Sequence, residues 1–180
     1  MRLVILDRDG VINEDSDAYV KSPDEWIPIP GSLEAIARLN AAGWRVVVAS
    51  NQSGLGRGLF DIGALNCIHD KLHRELSQAG GQLDGLFFCP HAPEDRCECR
   101  KPKTGLLLEI AERFNIELDG VPCIGDSLRD LEAAHAVSAR PILVLTGKGT
   151  DTRKRLARIG PVPVYTRLAE AVDALLAEAG

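Results

Sequence analysis

The chain has 180 residues, 45% of them apolar and 26% charged, with a net charge of −5. Those values suit one globular domain, residues 1–180, long enough to bury a real core. They speak against a broad nucleic-acid surface, and no apolar run approaches the length of a membrane span.

The first residues enter an apolar run directly, without the charged, apolar and small-residue order of a signal peptide. A cytoplasmic protein is therefore expected, with its five cysteines as thiols or metal ligands instead of disulfides. No nucleic-acid or membrane partner is expected, and the chain is expected to act as a monomer.

Leu3-Val4-Ile5-Leu6 reads as a strand buried on both faces, as in a parallel sheet. It ends in Asp7-Arg8-Asp9-Gly10, two carboxylates one residue apart, with Arg8 pointing away because extended side chains alternate. Adjacent carboxylates repel, so they need a cation, a shared proton or a turn to relieve them. Taken alone, the pair reads as a solvated strand-end turn. From Glu14 to Pro30 the pattern is a turn-rich loop crossing the mouth of that strand.

Ser32 is expected to cap a helix with Leu33, Ile36, Ala37 and Leu39 on its apolar face, ended by Gly43. Trp44 to Ala49 is the second buried strand, closing in Ser50-Asn51-Gln52-Ser53-Gly54. A helix from Asp61 to Ala79, a strand from Gly85 to Phe88 and a cysteine-rich stretch from Cys89 to Cys99 follow. Then come a helix from Thr104 to Asn115, a strand from Val121 to Ile124 and a helix from Leu128 to Val137. A strand from Pro141 to Leu145, a helix from Thr152 to Ile159, a strand from Val162 to Tyr165 and a helix from Leu168 to Glu178 complete the chain. Strands and helices alternating in this way predict an α/β fold with a mostly parallel, Rossmann-like sheet and helices on both faces.

Parallel strands bring their carboxyl ends together, and open α/β sheets bind ligands there. Asp7 and Asp9, then Ser50 and Asn51, then Asp126 all end strands, and Arg100-Lys101 follows the cysteine stretch. Three carboxylates suit a hard cation with oxygen ligands, most simply Mg²⁺. A hydroxyl, backbone amides and a lysine suit a phosphoryl group. Together they have the parts of phosphoryl transfer.

The order Asp7-Arg8-Asp9-Gly10, then Ser50-Asn51, then Lys101, then Gly125-Asp126-Ser127-Leu128-Arg129-Asp130 resembles the four motifs of the haloacid dehalogenase-like phosphatases. Asn51-Gln52-Ser53-Gly54, Cys89-Pro90-His91 and Cys97-Glu98-Cys99-Arg100-Lys101-Pro102 are similar to its histidinol-phosphatase-like branch. The resemblance implies Asp7 as nucleophile and Asp9 as general acid and base, with Ser50 and Lys101 holding the phosphoryl oxygens. It implies Mg²⁺ on Asp7, Asp126 and the backbone carbonyl of Asp9. It also places Asn51, Gln52, Ser53 and the loop Asp15-Ser16-Asp17-Ala18 beside the substrate. Arg57 and Arg100 are read as grips for the far end of an anionic substrate, because Arg forks suit such groups. Asp130 is read as a support for the metal loop ahead of direct ligation of the metal.

Cys89, His91, Cys97 and Cys99 form the donor set of a closed tetrahedral zinc site, and their loop has no apolar core to hold it otherwise. The alternative is a set of free thiols. Cys67 and Cys123 read as buried hydrophobes. His69, His73 and His135 fall on predicted helices away from the sheet edge, as surface or packing residues.

The expected function is Mg²⁺-dependent hydrolysis of a small phosphorylated sugar, with structural Zn²⁺ and no large cap domain. Arg57 and Arg100 lean towards a bisphosphate. The alternatives are a histidinol-phosphatase, which needs an acidic partner for its substrate amine, and a non-catalytic phosphate-binding or DNA-end adaptor, against which the presence of both Asp7 and Asp9 counts.

Overall fold

The computed structural model describes residues 1–179. Its strands are β1 (Arg2–Leu6), β2 (Trp44–Asn51), β3 (Gly85–Cys89), β4 (Pro122–Gly125), β5 (Arg140–Val144) and β6 (Val164–Tyr165). They form one sheet in the order β3-β2-β1-β4-β5-β6, with every neighbouring pair parallel. The order reverses direction at β1, so the chain's first strand lies at the topological switch point, where such sheets place their ligand crevice.

The helices are α1 (Ser32–Ala41), α2 (Ser53–Gly56), α3 (Ile62–Gln78), α4 (Gly105–Phe114), α5 (Leu128–Ala136), α6 (Gly149–Arg153) and α7 (Leu168–Ala179). Alternation along β1 divides the core. Val4 and Leu6 face α1, α3 and α7 through Leu33, Ile36, Leu39, Ile68, Leu72 and Val172. Leu3 and Ile5 face α4 and α5 through Leu106, Leu107, Ile110, Ala133 and Ala134. Each large buried aliphatic chain stabilises the fold by about 2 kcal/mol. That two-sided burial is why the strands read as continuous apolar runs.

Several expectations change in the structure. The α1 N-cap is Gly31, at φ 83°, and Ser32 is the first helical residue. The Ser32 hydroxyl donates instead to the carbonyl of Ile12 at 2.6 Å, pinning α1 to the turn after β1. The helix expected from Thr152 to Ile159 is α6 followed by a 3-10 turn at Leu156–Arg158, because Gly149 already sits against the end of β5. The residues after β2 form the short α2, an element the sequence pattern does not signal. The stretch 14–30 crosses the mouth of β1 as expected, anchored by a bridge from Asn13 to Pro28 and by fully buried Trp26.

Candidate active site

Each group at the carboxyl edge is placed by a strand end. Asp7 follows β1, Ser50 and Asn51 end β2, and Asp126 follows β4. A cleft of about 340 Å³ opens above them. Its lining includes Asp7, Asp9, Asp15, Ser16, Asp17, Asn51, Gln52, Ser53, Arg57, Arg100, Lys101 and Asp126. Ser50 lies just beneath, buried, with Oγ accepting from Gln52 Nε2 at 2.8 Å. Ala18 is exposed outside the wall, its backbone N–H donating to Ser16 Oγ.

Gly10 is required by the floor itself. Its φ is 85°, and a Cβ there would strike the Asp126 carboxylate. The same holds for Gly147, at φ 55°, whose Cβ would strike the same carboxylate from the β5 side. Lys148 N–H then donates to Asp126 Oδ2 at 2.8 Å.

Carboxylate oxygens of Asp7, Asp126 and Asp130 lie within 4.8 Å of one another. Lys101, 4% exposed, joins them: Nζ is 3.0 Å from Asp7 Oδ1 and 2.6 Å from Asp130 Oδ1, and it donates to the carbonyl of Ala49 at 2.6 Å. Asp130 also accepts from the Ser127 backbone at 3.0 Å and its hydroxyl at 2.7 Å, which closes the first turn of α5. Asp130 thus supports the Asp126 loop and fixes Lys101. Asn51 fixes the other side of that lysine, exchanging hydrogen bonds of 3.0 Å with its backbone N–H and carbonyl.

Burial, then the charge of Asp130, pushes Asp7 up to about 7, with Lys101 only partly offsetting. Burial, Asp130 and Asp7 push Asp126 up to about 8. Burial opposes charge on Lys101 and Asp130 as well, but their mutual attraction wins, holding the lysine above its usual range and Asp130 below. Three carboxylates face one ammonium, so a divalent cation matches the remaining charge.

Asp9 is different. Its Oδ1 accepts from Arg8 Nε at 3.1 Å, Arg8 NH2 at 2.8 Å and Asn13 Nδ2 at 2.9 Å, and its Oδ2 accepts from Gln52 Nε2 at 2.9 Å. Burial raises its pKa, yet Arg8 and the hydrogen bonds outweigh it and hold Asp9 below the usual carboxylate range. Arg8 does not point away: it is fully buried and folds back onto Asp9, because the chain turns at Gly10 and leaves the extended conformation. Nor is His69 remote from this edge, as its Nε2 lies 3.2 Å from Arg8 NH1.

Arg57 reaches the cleft but is exposed and 3.5 Å from Glu94. Arg100 lies deeper, with NH1 buried and without a hydrogen-bond partner among the described residues. Arg129, Tyr19 and Lys148 also line the cleft, and Lys148 Nζ is 3.3 Å from Asp15. The sequence pattern singles out none of the three, although the rule that strand ends carry the site, applied to β5, points to Lys148.

At the rim, Cys89, His91, Cys97 and Cys99 converge. His91 Nδ1 lies 3.5 Å from Cys89 Sγ and 3.2 Å from Cys99 Sγ, and Cys89 lies 3.5 Å from Cys97 and 3.1 Å from Cys99. All five cysteines of the chain are free thiols. Cys123 is buried as expected, but Cys67 is exposed on α3.

A family model described as HAD-hydrolase-like matches residues 98–171, and the polynucleotide kinase 3 phosphatase model matches residues 2–127. The D-glycero-beta-D-manno-heptose-1,7-bisphosphate 7-phosphatase of Bordetella bronchiseptica is 59% identical over 97% of this chain and 96% of its own length. Its counterpart from Pseudomonas aeruginosa is 51% identical over 97% of each chain. The crystal structure of D,D-heptose 1,7-bisphosphate phosphatase from B. bronchiseptica, complexed with magnesium and phosphate, superposes with a TM-score of 0.94 at 57% identity, covering 99% of both chains. With its strand-end carboxylates, buried lysine and four-donor loop in this fold, the chain belongs to the haloacid dehalogenase-like phosphatases, in the family of the D-glycero-beta-D-manno-heptose-1,7-bisphosphate 7-phosphatases.

Proposed function

We propose that this protein is a Mg²⁺-dependent phosphatase that removes the C7 phosphate of D-glycero-D-manno-heptose 1,7-bisphosphate, on the route to lipopolysaccharide or related heptose-nucleotide precursors. The observation that carries this reading is the pairing of a buried carboxylate-lysine floor with relatives of that activity over nearly the whole chain. Asp7 attacks phosphorus as the bond to the C7 oxygen breaks, giving an aspartyl-phosphate. Asp9 gives the departing oxygen its proton, then takes one from the water that hydrolyses the aspartyl-phosphate. Lys101 meets charge on the phosphoryl oxygens, and the Ser50 hydroxyl, oriented by Gln52, keeps its own proton to donate. Arg100 and Arg57 provide cations for the far phosphate, with Asn51, Gln52, Ser53 and the loop from Asp15 to Ala18 around the sugar. Asp7, Asp126 and the Asp9 carbonyl hold Mg²⁺, which when bound neutralises the phosphate and admits a weak carboxylate nucleophile.

The test is a kinetic panel of both heptose 1,7-bisphosphate anomers, fructose bisphosphate and histidinol phosphate, with Mg²⁺ and with EDTA. A heptose bisphosphate is expected to lead by at least tenfold, and only with Mg²⁺. Preference for histidinol phosphate would replace this reading with the amine-substrate one.

Protonation and metal compete at the floor. Asp7 and Asp126 have raised pKa values, so their contribution to stability is present below the ordinary carboxylate value of 3.8 and lost as pH rises through about 7 and 8. Asp9 and Asp130 act oppositely and lose stability in acid, below that ordinary value. Metal-free protein is therefore expected to melt at falling temperature from pH 5 to pH 8, and Mg²⁺ is expected to flatten the fall. Parallel melting curves with and without Mg²⁺ would place the cation elsewhere.

The rim donors suit structural Zn²⁺, since four protein ligands leave no open position for water. The loop runs straight into Arg100 and Lys101, so its shape sets both side chains. One zinc per chain is expected by elemental analysis. Cys97→Ala or Cys99→Ala is expected to lower zinc content, melting temperature and kcat/KM together, the last by about a hundredfold if Lys101 moves by 1 Å. Full activity in zinc-free protein would refute the structural site. Cysteines kept as a metal-ligand set and two further thiols fit the expected reducing, cytoplasmic setting.

A further inference from the structure

The steps above leave one buried histidine unused. His69 lies on α3, 8% exposed, its ring tilted 57° against Phe88 with centroids 5.9 Å apart. Its Nε2 is 3.2 Å from Arg8 NH1. A guanidinium only donates, so Nε2 accepts and the ring proton sits on Nδ1. Burial, then the charges of Arg8 and His73, pushes this histidine down to about 4, in keeping with a neutral ring. Arg8, with no exposed surface, directs its other two nitrogens, Nε and Nη2, at the same atom, Asp9 Oδ1, and Asn13 adds a third N–H there. Oδ1 is therefore saturated. Among the described residues Oδ2 accepts only from the Gln52 amide, and Asp9 lines the cleft.

We infer that Arg8 and His69 are positioning residues that bind Asp9 Oδ1 to the protein, so that Oδ2 alone exchanges protons with leaving group and water. The inference rests on the proposed acid-base role of Asp9. Asp9, ionised in the free enzyme, first takes a proton at Oδ2 from the substrate monoanion or solvent; in the first half-reaction that O–H bond breaks as the P–O bond breaks, the proton going to the leaving oxygen and the phosphoryl group to Asp7. In the second, a water O–H bond breaks; its proton returns to Oδ2, and its hydroxyl goes to phosphorus, releasing Asp7. His69 touches no reacting atom. It holds NH1, which prevents the guanidinium from rotating and carrying Asp9 with it.

The test is the dependence of kcat/KM, which reports through phosphoryl transfer to Asp7, on the leaving-group pKa across aryl and alkyl phosphates and the heptose bisphosphate. His69→Phe is expected to lose about a hundredfold on alkyl esters, whose oxygen needs a proton. It should lose no more than a few-fold on nitrophenyl phosphate, so the dependence steepens. His69→Gln, which keeps an acceptor for Arg8, is expected to recover most of the loss. Mg²⁺ affinity should be unchanged in both variants. An unaltered slope, or a loss uniform across the series, would overturn the inference. Nitrogen-15 NMR of the wild-type histidines supplies a readout free of folding defects: the His69 signal is expected as the neutral Nδ1–H tautomer from pH 5 to 8. The Nε2–H tautomer there would overturn the relay outright. Failure of the heptose reading shows separately, as a wild-type enzyme that discriminates leaving groups normally yet does not turn over heptose bisphosphate.

Discussion

Asp7→Asn is expected to reduce phosphatase turnover by at least about 10⁴-fold, because an amide is no nucleophile and the covalent route closes. The same substitution should leave the fold intact and raise the melting temperature of metal-free protein at neutral pH. Asp7 stands within a crowded group of carboxylates, with a pKa lifted to about 7 by burial and Asp130. An uncharged amide removes that repulsion. Each kcal/mol recovered shifts the midpoint by about 2–4 °C for a chain of this size. Activity and stability should thus move in opposite directions, as they do where a site stores repulsion for function. Steady-state kinetics and thermal melts with EDTA check both arms. Turnover within tenfold of wild type would remove Asp7 as nucleophile. A lower metal-free melting temperature would mean that its ion pair with Lys101 outweighs the crowding.

Much of this site is legible in the sequence because it is built from strand ends. The run from Leu3 to Leu6 is apolar on both alternating faces, and that pattern occurs only where helices cover both sides of a sheet. Once the sheet is parallel, Asp7, Ser50 and Asp126 must lie at one edge, whatever the loops between them do. The four rim donors were readable for a similar reason, since a short polar loop brings Cys89 and Cys99 together by itself.

What the sequence leaves illegible depends on packing between distant segments. His69 follows Arg8 by 61 positions, and no local pattern links the two. Strand alternation fails for Arg8 because the chain turns there: Asp7 N–H still pairs with the Ile124 carbonyl, while the Arg8 carbonyl already accepts from Val11, Ile12 and Asn13. Ser32 looks like a cap by residue type, but Gly31 takes the left-handed position and frees the hydroxyl for the Ile12 carbonyl. Lys148 serves the site partly through its backbone N–H, which carries no side-chain signature.

Lys101→Ala is expected to be the most damaging change outside the nucleophile, and for two separable reasons. The lysine donates to three acceptors at once: Asp7, Asp130 and the carbonyl of Ala49. Its Nζ lies 3.0 Å from Asp7, the proposed nucleophile, so its loss should cost two to three orders of magnitude in kcat. It is also the buried counter-charge for Asp130, and stripping one partner from a buried pair costs about 3–5 kcal/mol. The fold should therefore weaken as well. Asp7 should take up a proton more readily, since the charge that partly offsets its burial is gone. The two effects are distinguished by Lys101→Met with Asp130→Asn in the same chain. Removing both partners relieves the buried charge, so melting temperature should return towards wild type. Turnover should stay low, because no cation remains to meet the phosphoryl oxygens. Recovery of both in the double variant would mean that Lys101 serves the fold alone, and that the phosphoryl charge is met by Arg100 and the metal without it.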